Sequence, residues 1–223
     1  MRNGCIVALV ALLAGACSAG GDPRLDTDEQ KTLYALGIAL SRNVSPFNLT
    51  ADELKLVQAG FADGVLGKEK KVDLDTFGPK IQQLATTRAA STAAAEKKGA
   101  EAFVAKAAGE KGATKTASGM IITEIRPGTG ETPKATDKVK VHYHGTLIDG
   151  TVFDSSVQRG EPITLALNGV IRCWTEGVSM MKVGGKSRLI CPPDLAYGDR
   201  GAPPTIKPGA TLVFEVELLE IVR

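Results

Sequence analysis

His142 and His144 are the only histidines in the 223-residue chain, and they stand two apart in the run Lys138-Val139-Lys140-Val141-His142-Tyr143-His144. Residues two apart on a strand share a face, so the pair could bridge a metal. A metal site needs further ligands, and no second Cys pair or spaced His accompanies them. Two histidines on the charged face of a strand read as solvent-facing groups, and no metal or other cofactor is expected. Nucleophilic and nucleotide chemistry lack their motifs too: there is no Gly-x-Ser-x-Gly, Walker or dinucleotide fingerprint. Whatever chemistry the chain performs is expected to need neither a nucleophile nor a metal.

Aromatic residues are scarce and unevenly placed. The chain has one Trp, three Tyr and six Phe, and Tyr143, Phe153, Trp174, Tyr197 and Phe214 all fall in the last 105 or so residues. Together they could fill a core or line an apolar pocket, and composition does not choose between these.

The elements that must carry them change character at Gly119. From there the period is two: Met120 to Ile125 predicts a strand, Pro127 to Gly130 a turn, and 138–144 a strand with Val139, Val141 and Tyr143 on one face. Further strands are predicted at Thr151 to Phe153, Ile163 to Leu167, Lys186 to Cys191 and Thr211 to Ile221, with one short helix around Cys173 to Met181. This predicts an α+β domain over 116–223, an antiparallel sheet wrapped on a single helix.

Before Gly119 the patterns are helical. Thr27 with Gln30, and Thr50 with Glu53, have the spacing of capping boxes. Leu33, Leu36, Leu40 and Val44 follow the first, and Leu54, Val57, Phe61 and Val65 the second. A third helix begins near Asp75, takes Pro79 in its first turn and aligns Phe77, Ile81 and Leu84. These helices form an all-α module over 26–85 with narrow apolar stripes, too small to bury much alone, and self-association through it is expected; the other reading is a monomeric hairpin packed on the C-terminal domain. The 30 residues of 86–115 contain 11 alanines among charged residues, which predicts a long spacer helix crossing solvent without a core of its own.

Residues 1–16 have the layout of an export signal: Arg2, the apolar run Ile6 to Leu13, then Ala14-Gly15-Ala16 before Cys17. Leu13 to Cys17 resembles a bacterial lipobox in which Cys17 is acylated, with residues 17–25 as a tether. Ala14-Gly15-Ala16 also fits an ordinary signal-peptidase site. Of the four cysteines, Cys5 leaves with the leader and lipidation occupies Cys17. Cys173 and Cys191 then form a disulfide or remain two buried thiols. Lys plus Arg number 27 against 25 Asp plus Glu, which supplies no basic footprint, so no nucleic-acid partner is expected. The apolar run at the N-terminus is too short to span a bilayer, leaving the lipid as the only expected membrane contact.

Five local sequences carry more information than these patterns. Val141-His142-Tyr143-His144-Gly145, Gly150-Thr151-Val152-Phe153-Asp154-Ser155-Ser156, Val170-Ile171-Arg172-Cys173-Trp174-Thr175-Glu176-Gly177, Ala196-Tyr197-Gly198 and Ala210 to Leu218 resemble, in order and spacing, the FKBP family of peptidyl-prolyl cis-trans isomerases. The helical N-terminal layout further resembles its Mip-like bacterial subgroup, whose members are exported and dimeric. The resemblance implies a half-barrel sheet around a short helix with an apolar pocket between them. Trp174 would be the floor, with Tyr143, Phe153, Val170, Ile171 and Phe214 as walls. Asp154 and Tyr197 would form the polar rim, the Tyr197 hydroxyl and the Ile171 backbone N–H each donating to a substrate carbonyl. Arg159 would pair with Asp154, and Ile206 would lie in the flanking loop. Ile163 and Ala202 stand where larger residues are common, which implies a more open pocket. Partners implied are proline-containing unfolded or nascent exported polypeptides, a second copy of the chain and macrolide inhibitors of the family, with an outer-membrane, periplasm-facing location.

The chemistry of that reaction matches the residues. An X-Pro bond isomerises over a barrier of about 18–20 kcal/mol because amide resonance is lost as it twists. No bond breaks, so a catalyst needs only to hold the ring, desolvate the carbonyl and favour the twisted geometry. A binding chaperone that grips proline-containing segments without turnover is the alternative reading, and a host-interaction lipoprotein is a third.

Overall fold

A computed structural model describes residues 23–223. The expected signal peptide, the Cys17 lipidation site and most of the tether lie outside the described residues. The described chain falls into two units divided after Leu40. The first contributes nearly all of helix α1 (Asp28–Ser41). Thr27 caps α1 as its spacing predicts: its hydroxyl accepts the Gln30 N–H at 3.2 Å, and the Gln30 side chain accepts the Thr27 N–H at 3.0 Å.

The second unit opens with a 3-10 turn (Ser45–Phe47) and α2 (Ala51–Val65), whose Thr50–Glu53 capping box is complete. Glu53 has a second task. Its carboxylate also receives Arg88 from α3 (Leu74–Ala108), while Arg88 donates to the Phe47 carbonyl at 2.9 Å. Arg88 above all, with the Thr50 cap, pulls the Glu53 carboxyl down to about 2, and one half-buried ion pair thus pins α2 and the 3-10 turn onto α3.

Helix α3 corrects two expectations. Its N-cap is Asp73, whose carboxylate accepts from the Asp75 and Thr76 amides, so Pro79 lies in the second turn and leaves the Asp75 carbonyl without its helical partner. Second, the third helix and the spacer are one continuous helix of 35 residues, and its later half does not cross solvent. Ala93, Ala100 and Ala107 are buried at intervals of seven. Ala107 packs with Ile121 and Ile190, flanked by Phe103, Val104 and Val213. Small residues on one stripe let the helix backbone approach the sheet closely. The helix stops at Gly109, and the chain resumes as a short strand, β1 (Ala113–Lys115), inside the segment expected to be spacer.

The sheet continues with β2 (Ile121–Arg126), β3 (Lys138–Leu147), β4 (Val152–Ser155), β5 (Ile163–Ala166), β6 (Lys186–Cys191) and β7 (Leu212–Val222). The order is β1-β2-β6-β7-β3-β4, every pair is antiparallel, and β5 pairs with β3 beside β4. The predicted strand boundaries shift by at most three residues, and β6 falls where it is expected. A single turn of helix, α4 (Ser156–Arg159), was not predicted, and α5 (Arg172–Val178) ends three residues before Met181. Alternation on β3 is as expected: Val139, Val141 and Tyr143 are buried, facing Leu189, Leu212, Val216 and Leu218 in one core with α5.

Cys173 on α5 and Cys191 at the end of β6 form a disulfide with Cα atoms 5.6 Å apart. Both are fully buried. The helix that bears Trp174 is thereby tied to the middle of the sheet. On the same side Gly177 brings α5 against Leu189, whose methyls would stand 2.8 and 2.9 Å from a Cβ there.

Candidate active site

Between α5 and the concave face of the sheet lies a cavity of about 550 Å³ lined by Tyr143, Phe153, Asp154, Ile163, Leu165, Gly169, Val170, Ile171, Trp174, Tyr197 and Phe214. Nine of these eleven residues are the ones whose sequence context singles them out. Leu165 and Gly169 were missed. Leu165 shares a strand face with Ile163 two residues away, a relation that alternation alone could have revealed. Arg159 is not part of the lining, and Ile206 lies in the flanking loop as expected, with its side chain buried in the core.

The floor and walls are an aromatic chain. Tyr143 meets Trp174 edge to face at 5.2 Å between centroids, Trp174 meets Phe214 at 5.3 Å, and Phe214 meets Phe153 at 5.4 Å, all at more than 80°. This is the arrangement that ring quadrupoles favour. It depends on Gly145 of β3, paired with Phe214 on β7 and Asp154 on β4. A Cβ at Gly145 would stand 2.8 Å from the Phe153 ring and 3.0 Å from Phe214, so only a bare backbone leaves the two rings room to meet. The Trp174 indole N–H is buried without a hydrogen-bond partner among the described residues.

Three polar groups stand at the rim. The Tyr143 hydroxyl donates to one oxygen of Asp154, the Arg159 guanidinium donates to the other, and Arg159 also reaches the Tyr143 hydroxyl at 3.1 Å. The turn α4 makes this geometry possible. Ser155 caps it, Gly160 closes it at φ 79°, and Arg159 swings back toward β3. Buried Ser156 accepts the Tyr143 N–H at 2.7 Å and donates to the Tyr143 carbonyl at 3.2 Å, which fixes the backbone of the tyrosine. His142 and His144 face the other way onto Ser156 and Ser155, at 3.1 and 2.9 Å. No group of three or more metal-ligating side chains occurs among the described residues.

The electrostatics keep these rim groups in one state. Burial pushes the Asp154 carboxyl up, but hydrogen bonds from Tyr143 and Arg159 outweigh it and hold the group below its ordinary 3.8. Burial first, and then the bond to Asp154, holds the Tyr143 phenol above its ordinary 10.0. A lowered carboxyl stabilises the fold above its unfolded value and loses this as pH falls through its folded value. A raised phenol does so below its unfolded value and loses it as pH rises through its folded value. The network is therefore intact from roughly pH 4 to 10. For the X-Pro isomerisation that the resemblance implies, kcat/KM is expected to be flat over about pH 5–9. A bell-shaped profile inside that interval would demand an acid–base step that this site does not offer.

Comparison with known proteins agrees with this geometry. Residues 129–219 match the family profile described as FKBP-type peptidyl-prolyl cis-trans isomerase, and residues 29–121 match the domain amino-terminal to it. The FKBP-type 22 kDa peptidyl-prolyl cis-trans isomerase of Escherichia coli is 40% identical over 203 residues, covering 89% of this chain and 98% of that protein. The peptidyl-prolyl cis-trans isomerase Mip of Coxiella burnetii is 32% identical, covering 95% and 94%. Among solved structures, FkpA from Escherichia coli superposes with a TM-score of 0.65 at 38% identity, over 88% of this chain and 97% of that one. With both segments matched and relatives aligned over nearly their whole length, the chain belongs to the family of FKBP-type peptidyl-prolyl cis-trans isomerases.

Proposed function

We propose that the cavity catalyses cis–trans isomerisation of X-Pro bonds in unfolded or nascent exported polypeptides. The observation that carries this reading is the aromatic-floored cavity with Asp154 and Tyr197 in its lining. A proline ring packs on Trp174 between Phe153, Phe214 and Tyr143, which removes it and the adjacent carbonyl from water. Tyr197, 42% exposed at the mouth, donates its hydroxyl to a substrate carbonyl, and the Ile171 N–H at the start of α5 donates to another. Asp154, kept ionised and fixed by Tyr143 and Arg159, presents a preorganised charge to the twisting amide, which loses resonance and with it the planar charge distribution. Val170, Ile163 and Leu165 supply aliphatic walls. With Ile163 in place of a larger ring in the lining, the pocket accepts broader side chains before proline and binds macrolide inhibitors of the family less tightly.

Catalysis and simple gripping are separable. The double variant Asp154→Ala, Tyr197→Phe in the full-length chain is expected to lose accelerated cis-to-trans relaxation of X-Pro peptides. It should keep any ability to suppress aggregation of an unfolded protein. Loss of both together, with the fold intact, would mean that holding and turnover use the same groups. Unchanged relaxation would remove Asp154 and Tyr197 from the mechanism.

The helical module is proposed to join two copies of the chain. Phe61, Val65, Phe77 and Ile81 are exposed by 44% or more, as are Leu33 and Leu36 on α1, and the sequence stripes place them on regular faces. Large apolar residues repeated on helices without a covering layer need one. Phe61→Asp is expected to convert a dimer to a monomer by sedimentation or light scattering while peptide isomerisation stays unchanged; a wild-type chain that is monomeric at micromolar concentration would overturn the proposal. Export and lipid anchoring rest on the leader and Cys17, and Cys17→Ser is expected to move the protein from the membrane fraction to the soluble one.

A further inference from the structure

The chain between β6 and β7, 192–211, is a long loop with only 3-10 turns and an isolated bridge for internal structure. It carries Tyr197 at the cavity mouth. Loops of this length hold one geometry only when something outside them fixes it. Here Leu195, Ile206 and Ala210 anchor the loop in the core, and the later half of α3 holds the remainder.

At the foot of the loop, Gly209 has φ +74°, and a Cβ there would stand 2.6 Å from both the Cα and the carbonyl oxygen of Ala93. Backbone meets backbone at this point, which needs glycine on one side and a small residue on the other. One turn further along α3, Lys97 reaches Asp199 at 2.7 Å and Asp194 at 3.9 Å. Glu96 takes Lys207 at 3.3 Å. Within the loop, the Gly209 N–H donates to the Gly198 carbonyl at 2.9 Å and the Gly201 N–H to the Tyr197 carbonyl at 3.1 Å. Ala202 and Ile206 exchange amide bonds at 2.8 and 3.1 Å. A continuous path of contacts therefore runs from Ala93 through Gly209 and Gly198 to Tyr197.

We propose that the Ala93–Lys97 face of α3 is a positioning element of the isomerase site, fixing the loop so that the Tyr197 hydroxyl meets the substrate carbonyl. This rests on reading the cavity as an isomerase site. Ala93, Glu96 and Lys97 touch no substrate; they act through the loop. Because hydrogen bonding tolerates little displacement, loosening the foot of the loop weakens substrate binding even though floor and walls are untouched.

The test uses the full-length chain with Ala93→Leu, and Ala93→Ser as the conservative variant. Leucine cannot fit against Gly209, so amide hydrogen exchange at Gly201, Ala202, Ile206 and Gly209 is expected to quicken on the order of tenfold, with the β3 and β7 amides unchanged. KM for an X-Pro peptide is expected to rise roughly fivefold with kcat changed by less than about twofold. Ala93→Ser should behave as the parent in both respects. If Ala93→Leu does not fold cooperatively, Lys97→Ala with Lys207→Ala carries the test, and a change of about twofold in the same direction is expected, since exposed ion pairs are weak. Faster loop exchange with KM unmoved overturns the proposal alone, as does unchanged loop exchange. A parent chain that does not accelerate isomerisation overturns it together with the isomerase reading, and the exchange data, which need no turnover, then report only whether α3 holds the loop.

Discussion

Phe153→Ala in the full-length chain is expected to lower kcat/KM for X-Pro isomerisation by about a hundredfold or more while the fold survives. The ring is only partly buried, packed against the main core, so its removal costs less than the roughly 3–5 kcal/mol typical of a fully buried Phe. Its catalytic cost is larger because it does two things. It closes the aromatic chain through Phe214 at 5.4 Å, and it shields the neighbouring Asp154 side of the cavity from water. Opening that wall hydrates the carbonyl that the site must keep dry and weakens Asp154 against the amide. Asp154→Ala should fall in the same direction by a different route, leaving the apolar pocket whole but Tyr143 and Arg159 without their shared acceptor. Near-ultraviolet circular dichroism from Trp174, the single Trp of the chain, checks that the floor stays ordered in both. Full activity in Phe153→Ala would show that the rings serve as core alone.

Removing the Cys173–Cys191 link has the second large effect. The cysteines are separated by 18 residues, and restoring the loop freedom of the unfolded chain should cost about 3 kcal/mol, roughly a hundredfold in the folding equilibrium. Cys173→Ala with Cys191→Ala avoids leaving thiols in a site where both positions are fully buried. In a domain of this size the melting midpoint should fall by about 12–15 °C. Activity at low temperature should fall far less, because α5 still packs through Gly177 on Leu189 and through the Tyr143–Trp174–Phe214 contacts. An unchanged midpoint would mean that the bond contributes nothing beyond the packing around it. A large loss of activity at a temperature where the domain is folded would instead give the bond a direct part in holding Trp174.

Local rules made much of the architecture legible. The two Thr caps and the alternation along β3 follow from neighbours a few residues apart, and sequence patterns report such neighbours well. The pocket lining was legible for a different reason: its aromatics sit in motifs whose order resembles a known family. What stayed hidden depends on residues far apart in the chain. The alanines of 86–115 were read as helix formers, but their spacing of seven at 93, 100 and 107 is a packing seam, visible only once Gly209, Ile121 and Ile190 are known to face it. Gly145 reads as one small residue on a strand until Phe153 and Phe214 are brought over it from two other strands. Arg159 was expected to pair with Asp154, yet the Tyr143 hydroxyl completing that network, and Ser156 fixing the tyrosine backbone, come from the fold of α4 onto β3. Ile206 lies in the flanking loop as the resemblance implies, but that its side chain is buried in the core shows only in the fold.

The most direct measurement is the cis-to-trans relaxation of X-Pro test peptides in the presence of the purified full-length chain, with Phe153→Ala beside it. Relaxation that accelerates in proportion to wild-type concentration, and returns to the uncatalysed rate with the variant, is the predicted result. A folded wild-type chain that leaves the relaxation at its uncatalysed rate would contradict the isomerase reading and make the aromatic cavity a binding site without turnover.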